Sequence, residues 1–169
     1  MSIAYRDGRV EDAATLDGIF DKSFCDTFAH LYRKEDLDFF LSSFGIADWE
    51  AELRNPDYAF RIGEMDGDPV GYVKLGPMTL PIETDRPAIL LDQLYIVKEH
   101  HGVGIAHGLM DWALEQARER GAQELYLTVY VDNRRARRFY DRYGFEGVGR
   151  YDFMVGSHAD EDIIMRKLL

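Results

Sequence analysis

Cysteine and proline are scarce in this sequence, and long apolar runs are missing. The single cysteine, Cys25, can form neither an intrachain disulfide nor a four-cysteine metal site. No apolar run is long enough to cross a bilayer, and no signal-peptide pattern is visible at the N-terminus. These absences predict a cytoplasmic protein without a bound metal.

Basic residues are also few, with 20 Lys and Arg against 31 Asp and Glu and a formal charge of −11. Nucleic acids and anionic membranes attract proteins through a positive field, so the sequence predicts neither as a partner. The charge instead favours cationic small molecules. A hydrophobic content of 46% suffices for a packed core, and we expect residues 1–169 to form one domain.

The five prolines all lie within the first 87 residues, so they interrupt no element after that point. Apolar periodicity predicts helices at 10–28, 36–44, 48–54, 104–120 and 133–143. It predicts strands at 3–6, 58–65, 70–75, 88–97, 124–131, 147–155 and 162–168. The strand 88–97 is nearly continuous in apolar residues, which is typical of a buried central strand. The order predicts a three-layer α/β fold around one sheet.

Small residues occupy alternate positions where the helix 104–120 begins, at Gly102, Gly104 and Ala106. A helix N-terminus offers unpaired amides and a partial positive charge, and small side chains let a phosphate approach them. The same residues would suit a tight turn without any ligand. The spacing of phosphate-binding loops and of dinucleotide-binding turns is absent, which disfavours nucleoside triphosphate hydrolysis and hydride transfer.

Two longer motifs carry a resemblance to a known family. "HGVGIA" resembles the R/Q-x-x-G-x-G/A signature of the GNAT acyltransferase superfamily, and "NRRARRFYDRYGF" resembles its N-x-x-A-x-x-x-Y-x-x-x-G-F pattern. The segments "SFCDTF", "GYVKL", "DQLYI" and "FMVGSHADEDIIM" are similar to PaiA-type polyamine acetyltransferases. The resemblance implies an α/β (α+β) fold of three α/β/α layers around a mixed, mainly antiparallel, twisted sheet.

The resemblance also implies acetyl-CoA as co-substrate, with its pyrophosphate on the amides that precede the helix. The residues implied in its binding are Leu94, Tyr95, Ile96, His101, Gly102, Val103, Gly104, Ile105, Ala106, His107, Asn133, Ala136 and Tyr140. His101 departs from the family's Arg or Gln, and a protonated histidine could assist the phosphates. Of the arginines at 134–142, Arg135 and Arg138 are expected to meet coenzyme A phosphates, unless the whole group is solvated.

Two residues are predicted to carry proton transfer. The resemblance gives Tyr140 the role of acid to the departing thiolate, and a phenol is a donor at neutral pH. An acceptor ammonium must lose a proton before it reacts, and Asp92 is the predicted proton acceptor, with Glu83 and Glu99 as alternatives. The alternative for Tyr140 is an aromatic core residue, and Asp92 could equally be a structural carboxylate.

The sequence predicts an N-acetyltransferase that acts on a primary amine of a polyamine-like small molecule or of a peptide. A non-catalytic acyl-CoA sensor stays open, and a homodimer is compatible with the sequence although no interface is specified. Acidic residues of the first helices could receive a polyamine, together with one aromatic ring, or they could form an ordinary solvated helix face. These residues are Asp26, Glu35, Asp36, Asp38 and Tyr32.

Overall fold

The computed structural model describes residues 1–169. The strands are β1 (Ile3–Asp7), β2 (Ala59–Met65), β3 (Asp68–Pro77), β4 (Ala88–Ile96), β5 (Glu124–Tyr130), β6 (Glu146–Val155) and β7 (His158–Leu168). The helices are α1 (Ala13–Phe28), α2 (Lys34–Ser42), α3 (Ile46–Arg54), α4 (Ile105–Glu119) and α5 (Arg134–Arg142). None of these helices combines the length and the apolarity that crossing a bilayer requires.

The strands form one seven-stranded sheet in the order β1-β2-β3-β4-β5-β7-β6. Every neighbouring pair is antiparallel except β4 and β5, which are joined through α4 and run parallel. Side chains alternate between the two faces: Tyr72 of β3 packs with α1 and α3, whereas the next residue, Val73, packs with α4. The prediction of three layers around a mixed, mainly antiparallel sheet is confirmed.

The sheet opens between its two parallel strands. β4 and β5 pair only where Ala88, Ile89 and Leu90 lie beside residues 124–126. Beyond that point the two strands separate, and the backbone edges that face each other have no strand partner, so a ligand can lie between them. The prediction that residues 88–97 form a buried strand is wrong for most of its length. Only Leu90 and Leu91 are buried, because the carboxyl half of β4 lines the cleft between the two strands.

Several element boundaries differ from the predicted ones. A short 3-10 turn, Val10–Asp12, precedes α1, and the Asp12 carboxylate accepts the Arg9 amide at 2.7 Å and also binds the Arg6 guanidinium. The last strand begins at His158 rather than at 162 because β6 and β7 form one continuous hairpin. This extension places Asp160 within the sheet beside Asp162.

Candidate active site

Two adjoining cavities fill the opening between β4 and β5. The larger one, the cofactor cleft, measures about 510 Å³ and lies between the end of β4, the start of α4 and the start of α5. The smaller one, the acceptor cavity, measures about 130 Å³ and extends between β4, β5 and β7 beneath α1. Residues that line both cavities are Phe28, Leu94, Tyr95, Asn133, Ala136 and Tyr140.

The cofactor cleft ends on the N-terminus of α4. Gly102 has φ +79° and Gly104, the N-cap, has φ +94°, a region that favours glycine. No atom lies within 4 Å of the position that a Cβ would take at either glycine, and no side chain caps the helix. The first-turn amides therefore face open space, with the geometry and partial charge that suit a phosphate.

The structure brings together nearly all the predicted cofactor residues. All of them line the cofactor cleft except Val103, whose side chain is exposed and does not line it. Asn133 accepts the Ala136 amide at 3.3 Å with its Oδ1 and so caps α5, which fixes its side chain at the junction of the cavities. These placements follow from two local motifs at the start of two helices.

Ser23 also lines the cofactor cleft, although the sequence did not predict it. Its hydroxyl is buried on α1, lines the cofactor cleft and has no hydrogen-bond partner. A buried hydroxyl without a partner is costly, and a ligand with a polar chain can satisfy it. Amphipathic periodicity predicted α1, but that pattern alone did not distinguish Ser23 from other helix residues.

His101 does not act as the charged residue that the sequence suggested. Its Nε2 lies 2.7 Å from the carbonyl oxygen of Ile96, and its Nδ1 accepts a hydrogen bond from the Arg135 guanidinium. Burial and the nearby Arg135 charge lower the pKa of His101, so the imidazole is neutral near pH 7. His101 instead holds Arg135 at the wall of the cleft.

The expected pair of phosphate-binding arginines also needs correction. Arg135 and Arg142 line the cofactor cleft, whereas Arg138 does not. Positions 135 and 142 are two helical turns apart and share a face of α5. Position 138 lies one turn from each of them, so helical spacing alone does not explain why Arg138 is outside the lining. Arg137 is engaged elsewhere, because it donates to the Val131 carbonyl at 2.8 Å.

Tyr140 stands between the two cavities. It is 8% exposed, and burial raises its pKa above the ordinary value for tyrosine. Burial also raises the pKa of Tyr95, which lines the same junction, and the neighbouring Tyr140 and two carboxylates add to the effect. Both phenols stay protonated at neutral pH and are hydrogen-bond donors at the point where the cavities meet.

Three carboxylates line the acceptor cavity, from Asp92, Asp160 and Asp162, and no arginine or lysine lines it. Asp92 is the extra residue of a bulge in β4, because Lys74 pairs with Gln93 and the next residue of β3 pairs with Leu91. Its carboxylate lies 3.1 Å from the Nζ of Lys74. The predicted proton acceptor is therefore in the cavity, but it is already paired with a cation.

The sequence did not predict Asp160 and Asp162 as site residues. They line the acceptor cavity only because β7 pairs with β5. Asp160 accepts a hydrogen bond from the Tyr32 hydroxyl and lies 3.2 Å from His158 Nε2. Asp162 is 5% exposed and pairs with no cationic side chain. Burial, with a further contribution from Asp160, raises the pKa of Asp162 to about 7, although the nearby Thr128 hydroxyl opposes the shift.

All four acidic residues predicted to receive the acceptor lie outside the cavity. Asp26 pairs with Lys22, Asp38 pairs with Lys34, and Glu35 is exposed. Asp36 accepts both the amide and the hydroxyl of Ser157 at 2.8 Å and so fixes the β6–β7 turn. Of that set only Tyr32 lines the cavity.

The two alternative proton acceptors, Glu83 and Glu99, also lie outside the acceptor cavity. Glu99 forms an ion pair with Lys22 at 2.9 Å, and Glu83 lies in the exposed loop before β4. Neither lines the acceptor cavity. No group of three or more His, Cys, Asp or Glu side chains is arranged to hold a metal ion.

Comparison with known proteins places this site in a family. The model of the acetyltransferase (GNAT) family matches residues 21–145. An uncharacterised N-acetyltransferase of Mycobacterium tuberculosis is 35% identical over 129 residues, which are 76% of this chain and 77% of that protein. The crystal structure of the PaiA N-acetyltransferase of Thermoplasma acidophilum with coenzyme A aligns over 100% of both chains, with a TM-score of 0.80 and 24% identity. NAA60 of Arabidopsis thaliana, in complex with a bisubstrate analogue, has a TM-score of 0.74 and 18% identity over 99% of this chain and 98% of its own.

A split sheet beside an uncapped, glycine-lined helix N-terminus defines a protein that binds a phosphate-bearing ligand, and the family model identifies that protein as an acyltransferase. The chain belongs to the acetyltransferase (GNAT) family. It is an acetyl-CoA-dependent N-acetyltransferase, with acetyl-CoA as its co-substrate, and enzymes of this family act on amines of small molecules or peptides. The residues of the cofactor cleft fit that co-substrate, since open amides, Arg135 and Arg142 suit its phosphates and Ser23 offers an unpartnered hydroxyl.

Proposed function

We propose that this enzyme transfers the acetyl group directly to a primary amine of a polyamine-like small molecule, with Tyr140 as the acid that protonates the departing sulfur. Bound acetyl-CoA supplies the acetyl group as a thioester. The observation that carries the proposal is the position of Tyr140, a protonated phenol that borders both cavities. A donor at that junction lies between the two substrates.

The lining of the acceptor cavity supports a cationic and slender acceptor. Asp92, Asp160 and Asp162 contribute carboxylates, and no cationic side chain lines the cavity to oppose an ammonium. Aromatic rings make up much of the remaining wall and can contact alkylammonium groups through their faces. These rings belong to Phe24, Phe28, Tyr32, Tyr95, Tyr130 and Phe153. A cavity of about 130 Å³ accommodates an unbranched aliphatic amine better than a bulky ring system.

A peptide amine is the second candidate acceptor. Enzymes of this family act on amines of small molecules or of peptides, which keeps this candidate open. The carboxylates favour the polyamine, because an N-terminal peptide amine brings a single positive charge to a cavity lined by three acidic groups.

The test is release of free thiol from acetyl-CoA with spermidine, spermine, lysine-containing peptides and aminoglycosides as acceptors. We expect the polyamines to give the highest kcat/KM. Tyr140→Phe should lower kcat by about 10²-fold, the typical contribution of a positioned acid, with little change in the Kd for acetyl-CoA.

Tyr126→Phe is the matched control. Tyr126 is another buried tyrosine, but it packs in a separate cluster with Leu90 and Ile164, and its hydroxyl donates to Glu124 at 3.1 Å. This variant should keep the wild-type kcat. Full turnover of the Tyr140→Phe enzyme would remove Tyr140 from the mechanism, and acetyl-CoA binding without thiol release on any amine would support a sensor instead.

A further inference from the structure

The acceptor cavity contains two kinds of carboxylate. Asp92 is paired: Lys74, which is 2% exposed, lies 3.1 Å from Asp92 and 2.7 Å from Glu52. The ammonium of Lys74 also lies 5.1 Å from the ring centre of Trp49 and 5.2 Å from that of Phe44. Asp92 is therefore part of an ion-pair network, in which Lys74, shared with Glu52, offsets part of its negative charge.

Asp162 is the opposite case. It is buried on β7, it lines the acceptor cavity, and no lysine, arginine or histidine pairs with it. The register of β5 and β7 sets it beside Tyr130, two residues along β5 from Thr128. Asp160, on the same face of β7, is held by Tyr32 and His158. Asp162 is the one carboxylate of the cavity that pairs with no lysine, arginine or histidine, and the hydrogen bond it receives from a protein side chain comes from the neutral Thr128 hydroxyl. Its charge is therefore not offset by a cation, which leaves it available to take a proton from a ligand.

We infer that Asp162 is the catalytic proton acceptor for the amine substrate, and that Asp92 with Lys74 and Asp160 with Tyr32 form the fixed acidic wall around it. This assignment rests on the proposed function, because it needs an amine in the acceptor cavity. It differs from the expectation drawn from sequence, in which Asp92 takes the proton.

The proton and electron balance of the step is complete. The Asp162 carboxylate takes one proton from the substrate ammonium, directly or through one water. The freed lone pair on nitrogen forms the C–N bond to the acetyl carbon while the C–S bond breaks, and Tyr140 gives its proton to the sulfur. The nitrogen then releases its second excess proton, which restores Tyr140, and Asp162 returns its own proton to solvent.

The environment of Asp162 suits this role. A base works best when its pKa lies near the working pH, and burial together with Asp160 raises the pKa of Asp162 to about 7. β6 places Tyr151 beside Asp162 in the sheet, and further polar groups that face the cavity with Asp162 come from β4, β5, β7, α5 and the turn after α1. They are Tyr32 after α1, Asp92 and Tyr95 of β4, Thr128 and Tyr130 of β5, Tyr140 of α5, and Asp160 of β7. The phenols stay protonated near pH 7 because the pKa of Tyr32, Tyr95, Tyr130 and Tyr140 is raised.

The experiment compares kcat/KM for spermidine from pH 6 to 10 in the wild type, Asp162→Asn, Asp92→Asn and Glu161→Gln. Glu161 is the matched control, because it neighbours Asp162 on β7 but lies outside the cavity and pairs with Arg150. We expect the wild-type kcat/KM to rise with pH through an apparent pKa near 7. Asp162→Asn should lose about 10²-fold at pH 7, and its kcat/KM should keep rising toward the pKa of the amine itself instead of levelling off above pH 7.

Two readouts separate a base from a residue that only shapes the cavity. The loss in Asp162→Asn should shrink toward pH 10, where the amine is increasingly neutral without help, and Asp162→Glu should restore part of the activity. The Kd for acetyl-CoA should not change in either variant. Glu161→Gln should keep the wild-type profile.

Two results would overturn the inference and leave the proposed function intact. One is a wild-type pH profile in Asp162→Asn. The other is loss of the levelling off above pH 7 in Asp92→Asn alone, which would return the role to Asp92. A wild-type enzyme that releases no thiol with any amine would overturn the proposed function and this assignment together.

Discussion

At the scale of a single residue, Asp162 lowers the stability of the folded protein while it provides a carboxylate to the acceptor cavity. A buried carboxylate without a cation is unfavourable in its charged form, and this is why its pKa is raised. The folded protein binds a proton at Asp162 between about pH 4 and 7, where the unfolded chain has released it. The free energy of unfolding therefore falls as the pH rises through this window, and the loss is complete above the folded pKa.

Asp162→Asn should consequently be more stable than the wild type at pH 8, by up to about 4 kcal/mol. Above pH 7 the wild type holds a buried charge that the asparagine lacks, whereas near pH 4 both side chains are neutral and the difference should vanish. Urea unfolding of both proteins at several pH values between 4 and 9 measures this. Equal unfolding free energies at pH 8 would mean that Asp162 is well solvated. A variant that gains stability and loses activity would be the pattern expected of a functional residue.

At the scale of strands and helices, pairing between strands that are distant in sequence decides which residues line the acceptor cavity. The cofactor side was predictable because each of its motifs, at the start of α4 and of α5, is local in sequence. The acceptor side depends on the register of β7 against β5, which are separated by more than 25 residues, and on a bulge that turns Asp92 into the cavity. No periodicity in the sequence encodes these two features, so Asp160 and Asp162 became visible only in the fold.

Lys74 links β3, α3 and β4 through its ion pairs with Glu52 and Asp92. We predict that Lys74→Met lowers the free energy of unfolding by about 3 kcal/mol. The substitution preserves the length of the side chain but leaves two carboxylates without their cation. Lys22→Met is the control, because Lys22 makes exposed pairs with Asp26 and Glu99, and exposed ion pairs contribute little to stability. Thermal unfolding at pH 7 compares the two variants, and equal losses would show that the buried network contributes no more than the surface pairs.

Charge is distributed unevenly over the whole molecule. The formal charge is −11, yet Arg135, Arg142 and the N-terminus of α4 meet in the cofactor cleft. The anionic co-substrate therefore depends on a local positive region, whereas a cationic acceptor gains from the field of the entire protein as well as from the acidic wall of its cavity. Salt should therefore weaken the attraction of a cationic acceptor to the whole protein, whereas for the co-substrate it screens both the local attraction and the overall repulsion.

We predict that kcat/KM for the acceptor falls as NaCl is raised to about 500 mM from about 20 mM. The decrease should be steepest for spermine, smaller for spermidine and smallest for an aliphatic monoamine. Salt shortens the range of the attraction, and the loss should grow with the number of positive charges on the amine. The KM for acetyl-CoA, measured at saturating acceptor, serves as the internal control and should not follow that order. If all amines lost activity equally, salt would be acting on a step common to them, and the acidic field of the molecule would have no part in acceptor selection.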